Sequence, residues 1–139
     1  MTERDFFRMR WLIRRLPKLQ WDIARKQATA TKVTTVITGM PRGGGENRQE
    51  DAMIMLAIAR DAYREALDEL EAMREQLTPK IDRLEDPDER AAMRMRYLHG
   101  LSPEEIAQTI HRTDRSVYVY LNRAERRIIR MEADYGRQG

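Results

Sequence analysis

"RYLHGLSPEEIAQTIHRTDRSVYVYLNRAERRI", residues 96–128, is the stretch that decides the fold. Gly100 can end one helix in a left-handed conformation, which glycine adopts without steric cost. Ser102 is a strong cap for the next helix, Pro103 fits the first helical position, and Glu105 completes a capping box with Ser102. These residues predict a short helix that begins directly after Ser102.

A turn and a longer basic helix follow the short one. The turn is predicted at residues 111–114, His-Arg-Thr-Asp, and Thr113 can cap the helix that follows it. Val117, Leu121, Ala124 and Ile128 then recur at three- and four-residue steps, which predicts a helix with one buried face. A capped short helix, a tight turn and a longer basic helix are typical of a helix-turn-helix.

In a helix-turn-helix the second helix lies in the major groove of DNA, and its first turns and outer face meet the base edges. Arg115 can donate two hydrogen bonds to a guanine, and Asn122 can form two hydrogen bonds with an adenine edge. The later arginines can bind phosphates. We therefore predict that helix 114–130 binds DNA through residues at its start and on its polar side. The predicted DNA-binding residues are Thr113, Asp114, Arg115, Ser116, Tyr118, Val119, Asn122, Arg123, Arg126 and Arg127.

The same stretch resembles the fourth conserved region of bacterial sigma factors, which reads the upstream promoter element. The resemblance is carried by Arg-Tyr-Leu before Gly100, by Leu-Ser at 101–102 with Glu-Ile-Ala at 105–107, by Thr113 and Val117, and by Ala124 before basic residues. The layout of the chain also looks like that of sigma-like phage regulators of late genes, the ArpU/RinA type. This resemblance implies a transcription regulator that binds double-stranded DNA, with RNA polymerase as a further partner.

The stretch departs from the sigma pattern at three positions. His111 stands in the turn where the family commonly has glycine, and glycine is the residue that turns freely there. Asp114 and Val119 stand where sigma factors often carry Arg and Gln, so the promoter preference of the family is not carried over. We find no sigma region for melting DNA, and do not expect the chain to act as a complete sigma factor.

Residues 49–85 carry a seven-residue repeat. Leucine or tyrosine recurs at 56, 63, 70, 77 and 84, with Leu67, Met73 and Ile81 at the half-steps. Such a seam predicts a long helix that needs a partner. The partner is either the N-terminal basic helix 1–27, in an intrachain hairpin, or a second copy in a homodimer. Pro17 predicts a kink or split in the first helix, and Thr78-Pro79 predicts a kink or a fresh start in the second.

Between these helices, residues 28–48 lose the helical period and predict a Gly-rich connector. Its letters "TGMPRGGGE", residues 38–46, have the glycine spacing of a phosphate-binding P-loop. They lack the Lys-Ser/Thr that would hold phosphate and magnesium, and Glu46 would repel a phosphate. We therefore predict a turning connector and no nucleotide site. The predicted fold is all-α: a helical hairpin or coiled-coil-like region, 1–27 with 49–85, followed by a helix-turn-helix module, 86–139.

Charge and composition limit the function further. Residues 1–48 carry eleven Lys/Arg and four Asp/Glu. Residues 49–92 carry six Lys/Arg and thirteen Asp/Glu, and residues 93–139 carry nine Lys/Arg and six Asp/Glu. Two basic ends around an acidic middle indicate an anionic partner. The chain has no cysteine and two histidines, which disfavours a zinc site. We expect no enzyme activity, cofactor, metal or membrane span, and a cytoplasmic, nucleoid-associated protein in a bacterial host. The nine methionines are expected to fill the core.

Two other functions fit the same sequence. A small terminase-type DNA-packaging subunit also joins a helix-turn-helix to helical assembly segments. A helical protein-interaction module would use the hairpin alone and bind no DNA. The sequence favours a sequence-specific transcription regulator, of phage or prophage late-gene type, over both.

Overall fold

The computed structural model describes residues 1–39 and 45–138, with side chains described for 1–32 and 47–134. All regular structure in these residues is helical, with no strand, which confirms the predicted all-α class. A single π-helical turn, Arg94–Leu98, follows the third helix. The α-helices are α1 (Glu3–Gly39), α2 (Gly45–Asp82), α3 (Pro87–Met93), α4 (Pro103–Ile110) and α5 (Asp114–Gln138). No helix in this described part of the chain is long and apolar enough to cross a membrane.

The first helix is longer than predicted, because α1 continues through Gly39 where a connector was expected from residue 28. Threonine lowers helix propensity by only a few tenths of a kcal/mol. The hydroxyls of Thr29 and Thr31 each donate to the carbonyl four residues earlier, at 3.0 and 2.9 Å. Ala30 is buried, so tertiary packing stabilises this part of the helix. The remainder of the predicted connector, residues 40–44, lies outside the described residues.

The two internal prolines do not split their helices. Pro17 lies within α1 and Pro79 within α2, so of the two alternatives predicted at Thr78-Pro79, a kink or a fresh start, the fresh start is wrong. Interior proline costs about 3 kcal/mol of helix stability, and buried side chains on both sides of each proline offset that cost. Leu77 and Ile81 beside Pro79 are fully buried. α2 also begins and ends earlier than predicted, and α5 extends well beyond residue 130.

The chain forms two compact units, which we call unit 1 and unit 2. Unit 1 consists of Met1–Ile13 together with Leu70–Gly139, and unit 2 consists of Arg14–Glu69. Each of the two long helices therefore contributes to both units. The helix-turn-helix lies in unit 1 and is packed with the first turns of α1 and the last turns of α2.

Unit 1 has a continuous apolar core that joins the helix-turn-helix to the two long helices. Several of the predicted seam residues, among them Leu70, Leu77 and Ile81, are fully buried in this core. Phe6 from α1 is also buried, and its ring centroid lies 5.3 Å from that of Tyr97. Other buried apolar side chains of unit 1 include Met9, Leu12, Leu84, Met93, Ile106, Val117, Leu121, Ala124 and Ile128.

A buried polar network joins α1 to α5 across this core. The Tyr97 hydroxyl accepts a hydrogen bond from Arg10 Nη1 at 2.8 Å and donates one to the Glu125 carboxylate. Arg10 and Glu125 also form an ion pair at 3.3 Å. Burial, reinforced by the charge of Glu125, raises the pKa of Tyr97. The hydroxyl therefore stays protonated and keeps its donor role over the ordinary pH range.

Unit 2 is an antiparallel pair formed by the later part of α1 and the earlier part of α2. Gln20 Nε2 donates to the Tyr63 hydroxyl at 3.0 Å. Leu19 from α1 and Leu56 from α2 are buried in this pair. The intrachain hairpin is therefore present. The methionines were predicted to fill the core, but Met53 and Met55 of α2 are 51% and 49% exposed. One face of α2 is therefore less well covered than the sequence predicts.

Candidate nucleic-acid interface

The short helix α4 begins as the sequence predicts. Ser102 Oγ accepts from the backbone N–H of Glu105, and a Glu105 carboxylate oxygen accepts from the backbone N–H of Ser102, both at 3.2 Å. This reciprocal pair satisfies two donors that a helix N-terminus leaves without partners. Gly100, just before the cap, has a φ of 74°, which is the left-handed conformation expected of it. The start of α4 is thus fixed by residues within six positions of one another.

The turn after α4 is made by a residue other than glycine. His111 has φ 55° and ψ 48°, a left-handed conformation that costs an ordinary L-residue about 1–2 kcal/mol. The backbone N–H of Arg112 donates to the Ala107 carbonyl at 3.0 Å, which closes the end of the helix in a Schellman-type arrangement. His111 therefore adopts the left-handed conformation that glycine takes without steric cost, and it does so with backbone strain.

Thr113 caps the second helix of the motif, as predicted. Its hydroxyl oxygen accepts from the backbone N–H of Ser116 at 3.1 Å and donates to Ser116 Oγ at 2.9 Å. The Thr113 carbonyl accepts the N–H of Val117 at 3.1 Å, the first bond of the helix. With both hydroxyls engaged, Thr113 and Ser116 fix where α5 starts and which of its faces turns outward.

α5 separates a buried face from a polar face along its length. Val117, Ala124 and Ile128 are completely buried, and Leu121 nearly so. Residues two positions apart on an α-helix lie about 200° apart, so residues displaced by two from the buried set point outward. All ten predicted DNA-binding residues lie at the start of α5 or on its outward side. Ser116 is half-buried and the other nine, including Arg115, Asn122 and Arg126, are exposed.

Tyr118 is exposed but not free. Its ring is 52% exposed, and its hydroxyl donates to a Glu104 carboxylate oxygen of α4 at 3.0 Å. The backbone amide of Glu104 and this hydroxyl lower the pKa of Glu104, while the same hydrogen bond raises the pKa of Tyr118. Tyr118 therefore ties α4 to α5 at the surface, and its ring rather than its hydroxyl is available to a ligand.

Arg127 also has a partner that the sequence did not indicate. Its Nη1 lies 3.4 Å from Oε2 of Glu89, whose side chain is only 1% exposed. That oxygen has no hydrogen bond among the described residues, so the ion pair is its compensation for burial. Acidic residues in the first turn of a helix are ordinarily exposed, and no local pattern marks Glu89 as buried. Arg127, 50% exposed, stabilises unit 1 in addition to any contact it makes outward.

Within the described residues no three His, Cys, Asp or Glu side chains come together in a way that could hold a metal ion. The outer face of α5 instead presents guanidinium groups beside Asn122 and the edge of Val119. Guanidinium groups donate up to five hydrogen bonds in a planar fork that matches phosphates and guanine edges. The chemistry available on this face is hydrogen bonding and charge neutralisation.

Comparison with known proteins agrees with this geometry. A family model described as "Sigma-70, region 4" matches residues 86–128, which run from the cap of α3 through the last buried turn of α5. The match covers the helix-turn-helix and leaves out α1, all of α2 and the end of α5. Residues 86–128 are thus a helix-turn-helix of the sigma-70 region 4 type, which supports DNA binding connected with transcription. No curated protein and no solved structure matches the chain.

Proposed function

We propose that this protein is a sequence-specific DNA-binding transcription regulator, of phage or prophage late-gene type, that reads the major groove with α5. The observation that carries the proposal is the outward set on α5. Arg115, Asn122 and Arg126 are exposed on one side, while the opposite side is buried in unit 1. The late-gene role is supported by the similarity in layout to the ArpU/RinA type alone.

The contacts divide into base readers and phosphate binders. A major groove about 12 Å wide admits one α-helix, whose N-terminal residues come nearest to the base edges. Arg115 in the first turn and Asn122 two turns later are assigned to bases. Arg123 and Arg126 lie further along the exposed side and are assigned to phosphates, which position the protein without reading sequence.

Two predicted DNA-binding residues already have a partner in unit 1, Arg127 in an ion pair and Tyr118 in a hydrogen bond. Arg127 forms an ion pair with the buried Glu89, so substituting Arg127 is expected to lower the stability of the fold as well as any DNA affinity. Tyr118 is held by Glu104, and it supplies a ring edge near the groove rather than a hydroxyl. Neither residue is therefore a clean test of DNA contact. Arg115 and Arg126 form no ion pair in the described residues and are better choices.

RNA polymerase is the second partner we propose, since a region 4-type module connected with transcription acts together with the enzyme that transcribes. We assign the protein no catalytic activity and no cofactor. The regulator's own contribution in this account is to place a complex at a defined DNA sequence, through direct base contacts and phosphate contacts.

The test begins with selection of bound duplexes from a random pool, which yields a preferred site and a scrambled control duplex. Affinities for both duplexes are then measured for the wild type and for Arg115→Ala and Arg126→Ala. Arg115→Ala is expected to cost about 1–3 kcal/mol on the preferred site and little on the scrambled one. Arg126→Ala is expected to weaken both duplexes alike and to reduce the salt dependence by about one ion. Arg64→Ala, which removes an exposed arginine of unit 2, is the charge-matched control.

Two outcomes would contradict the proposal. The first is a random pool that yields no enriched sequence, which would leave a binder without specificity. The second is an Arg115→Ala variant that binds both duplexes as the wild type does, which would show that α5 does not enter the groove. If Arg64→Ala weakens binding as much as Arg126→Ala, net charge rather than the face of α5 is responsible.

A further inference from the structure

Unit 2 leaves a large apolar surface on α2. Residues 52–59 of α2 read AMIMLAIA, eight apolar residues in succession. A helix that is apolar on every side is normally buried on every side. Here Leu56 and Ala59 are buried, on the side of α2 that packs in the hairpin. Met53, Ile54, Met55 and Ile58 are 51%, 53%, 49% and 56% exposed.

The exposed side of α2 continues into acidic residues. Ile54, Ile58, Asp61 and Glu65 are spaced four, three and four residues apart, which places them along one side of a helix. Ile54 precedes the buried Leu56 by two positions, so this side points away from α1. We call these four residues the acidic stripe. Neither Asp61 nor Glu65 forms an ion pair with any residue that the structure describes.

α1 carries a stripe of opposite charge with the same spacing. Arg14, Lys18, Trp21 and Arg25 are also four, three and four residues apart. Trp21 follows the buried Leu19 by two positions and is 70% exposed, so this side points away from α2. We call these four residues the basic stripe. Arg14 and Lys18 have no acidic partner among the described side chains.

We propose that a second copy of this chain covers the acidic stripe of α2 with the basic stripe of its own α1. The two stripes match in spacing and in sign of charge, and each carries apolar side chains that are left in solvent in the single chain. Tryptophan and arginine, both present in the basic stripe, are enriched in protein interfaces. Opposite charge across the contact selects this partner and disfavours α1 against α1 or α2 against α2. Because the stripes lie on different sides of the hairpin, the contact is head-to-tail.

A charge exchange tests the pairing directly. One variant is Arg14→Glu/Lys18→Glu, and the other is Asp61→Lys/Glu65→Lys. In either variant alone both stripes carry the same sign, so each is expected to remain a single chain of about 16.5 kDa. Mixed at equal amounts, each variant offers the other a complementary stripe, and association is expected to return. Mass is measured by light scattering after gel filtration of the full chain without DNA, and helicity by circular dichroism.

A second pair of variants tests the apolar part of the surface. Ile58→Glu is expected to reduce the wild-type mass, which should be at least twice that of one chain, to the single-chain value. Phe7→Glu is the matched control, because Phe7 is 58% exposed but lies in unit 1. It is expected to leave the mass unchanged.

Three results would overturn this proposal. They are a wild type that remains a single chain at concentrations near 100 μM, charge variants that associate alone as the wild type does, and a helical mixture that does not associate. Because mass is measured without DNA, a failure here leaves the DNA-binding proposal standing. A failure of DNA binding likewise leaves the association unaffected.

Discussion

One buried hydroxyl, that of Tyr97, adds hydrogen bonds to the apolar packing of α1 on the helix-turn-helix, and Tyr97→Phe removes it. Tyr97 is completely buried, and its hydroxyl links Arg10 at 2.8 Å with the carboxylate of Glu125. The substitution keeps the ring and its packing on Phe6, so no large cavity forms. It removes two hydrogen bonds to charged groups while leaving the Arg10–Glu125 ion pair, at 3.3 Å, in place.

The size of the effect follows from these contacts. A hydrogen bond to a charged group contributes about 1.5–3 kcal/mol. Because the remaining ion pair still satisfies part of both partners, we expect a net loss of about 1.5–2.5 kcal/mol in the free energy of unfolding. With a urea m-value of about 2 kcal/mol/M, the unfolding midpoint should fall by about 1 M. The measurement is urea unfolding followed by circular dichroism at 222 nm.

Tyr120→Phe is the matched control for this experiment. Tyr120 is half-buried on α5 and its hydroxyl has no hydrogen bond among the described residues. Its removal is expected to leave the midpoint within about 0.2 M of the wild type, since surface changes rarely exceed 0.5 kcal/mol. An unchanged midpoint for Tyr97→Phe, or the same loss of stability in both variants, would show that the Tyr97 hydroxyl does not stabilise the fold.

Further predictions concern pH and the two helix ends of the motif. The raised pKa of Tyr97 means that the unfolded chain releases this proton near pH 10 while the folded chain keeps it, so stability falls as pH rises above about 10. Urea midpoints at pH 9 and 11 should therefore differ more for the wild type than for Tyr97→Phe, and equal differences would contradict this. His111→Gly should raise the free energy of unfolding by about 0.5–1 kcal/mol, because glycine relieves the left-handed strain at some entropic cost. His111→Val should lower it, and urea unfolding of both variants measures the two changes. Ser102→Ala should cost about 1 kcal/mol through the lost cap, and an unchanged melting temperature would contradict the capping role.

Local signals were read correctly from the sequence because their partners lie close along the chain. The capping box of Ser102 and Glu105 and the cap at Thr113 each join residues three positions apart. The seven-residue seam likewise identified Leu70 and Leu77 as core. Spacing of this kind depends only on helix geometry.

Long-range features were not visible in the same way. Arg10 and Glu125 are 115 positions apart, and Arg127 pairs with a buried Glu89 from another helix. No periodicity connects such residues, since their pairing arises only when α1, α3 and α5 pack together. The continuation of α1 past residue 28 was missed because threonine suggests a connector, whereas burial of Ala30 and hydroxyl-to-carbonyl bonds stabilise the helix.

In the proposed complex the outward arginines of α5 bind DNA phosphates and bases. The most direct test of this binding is the affinity of the wild-type chain for a selected duplex, measured between about 50 and 300 mM salt. Several neutralised phosphates predict that the logarithm of the association constant falls against the logarithm of salt with a slope of about −4 to −6. A slope near zero, or no binding at the lowest salt, would contradict the account.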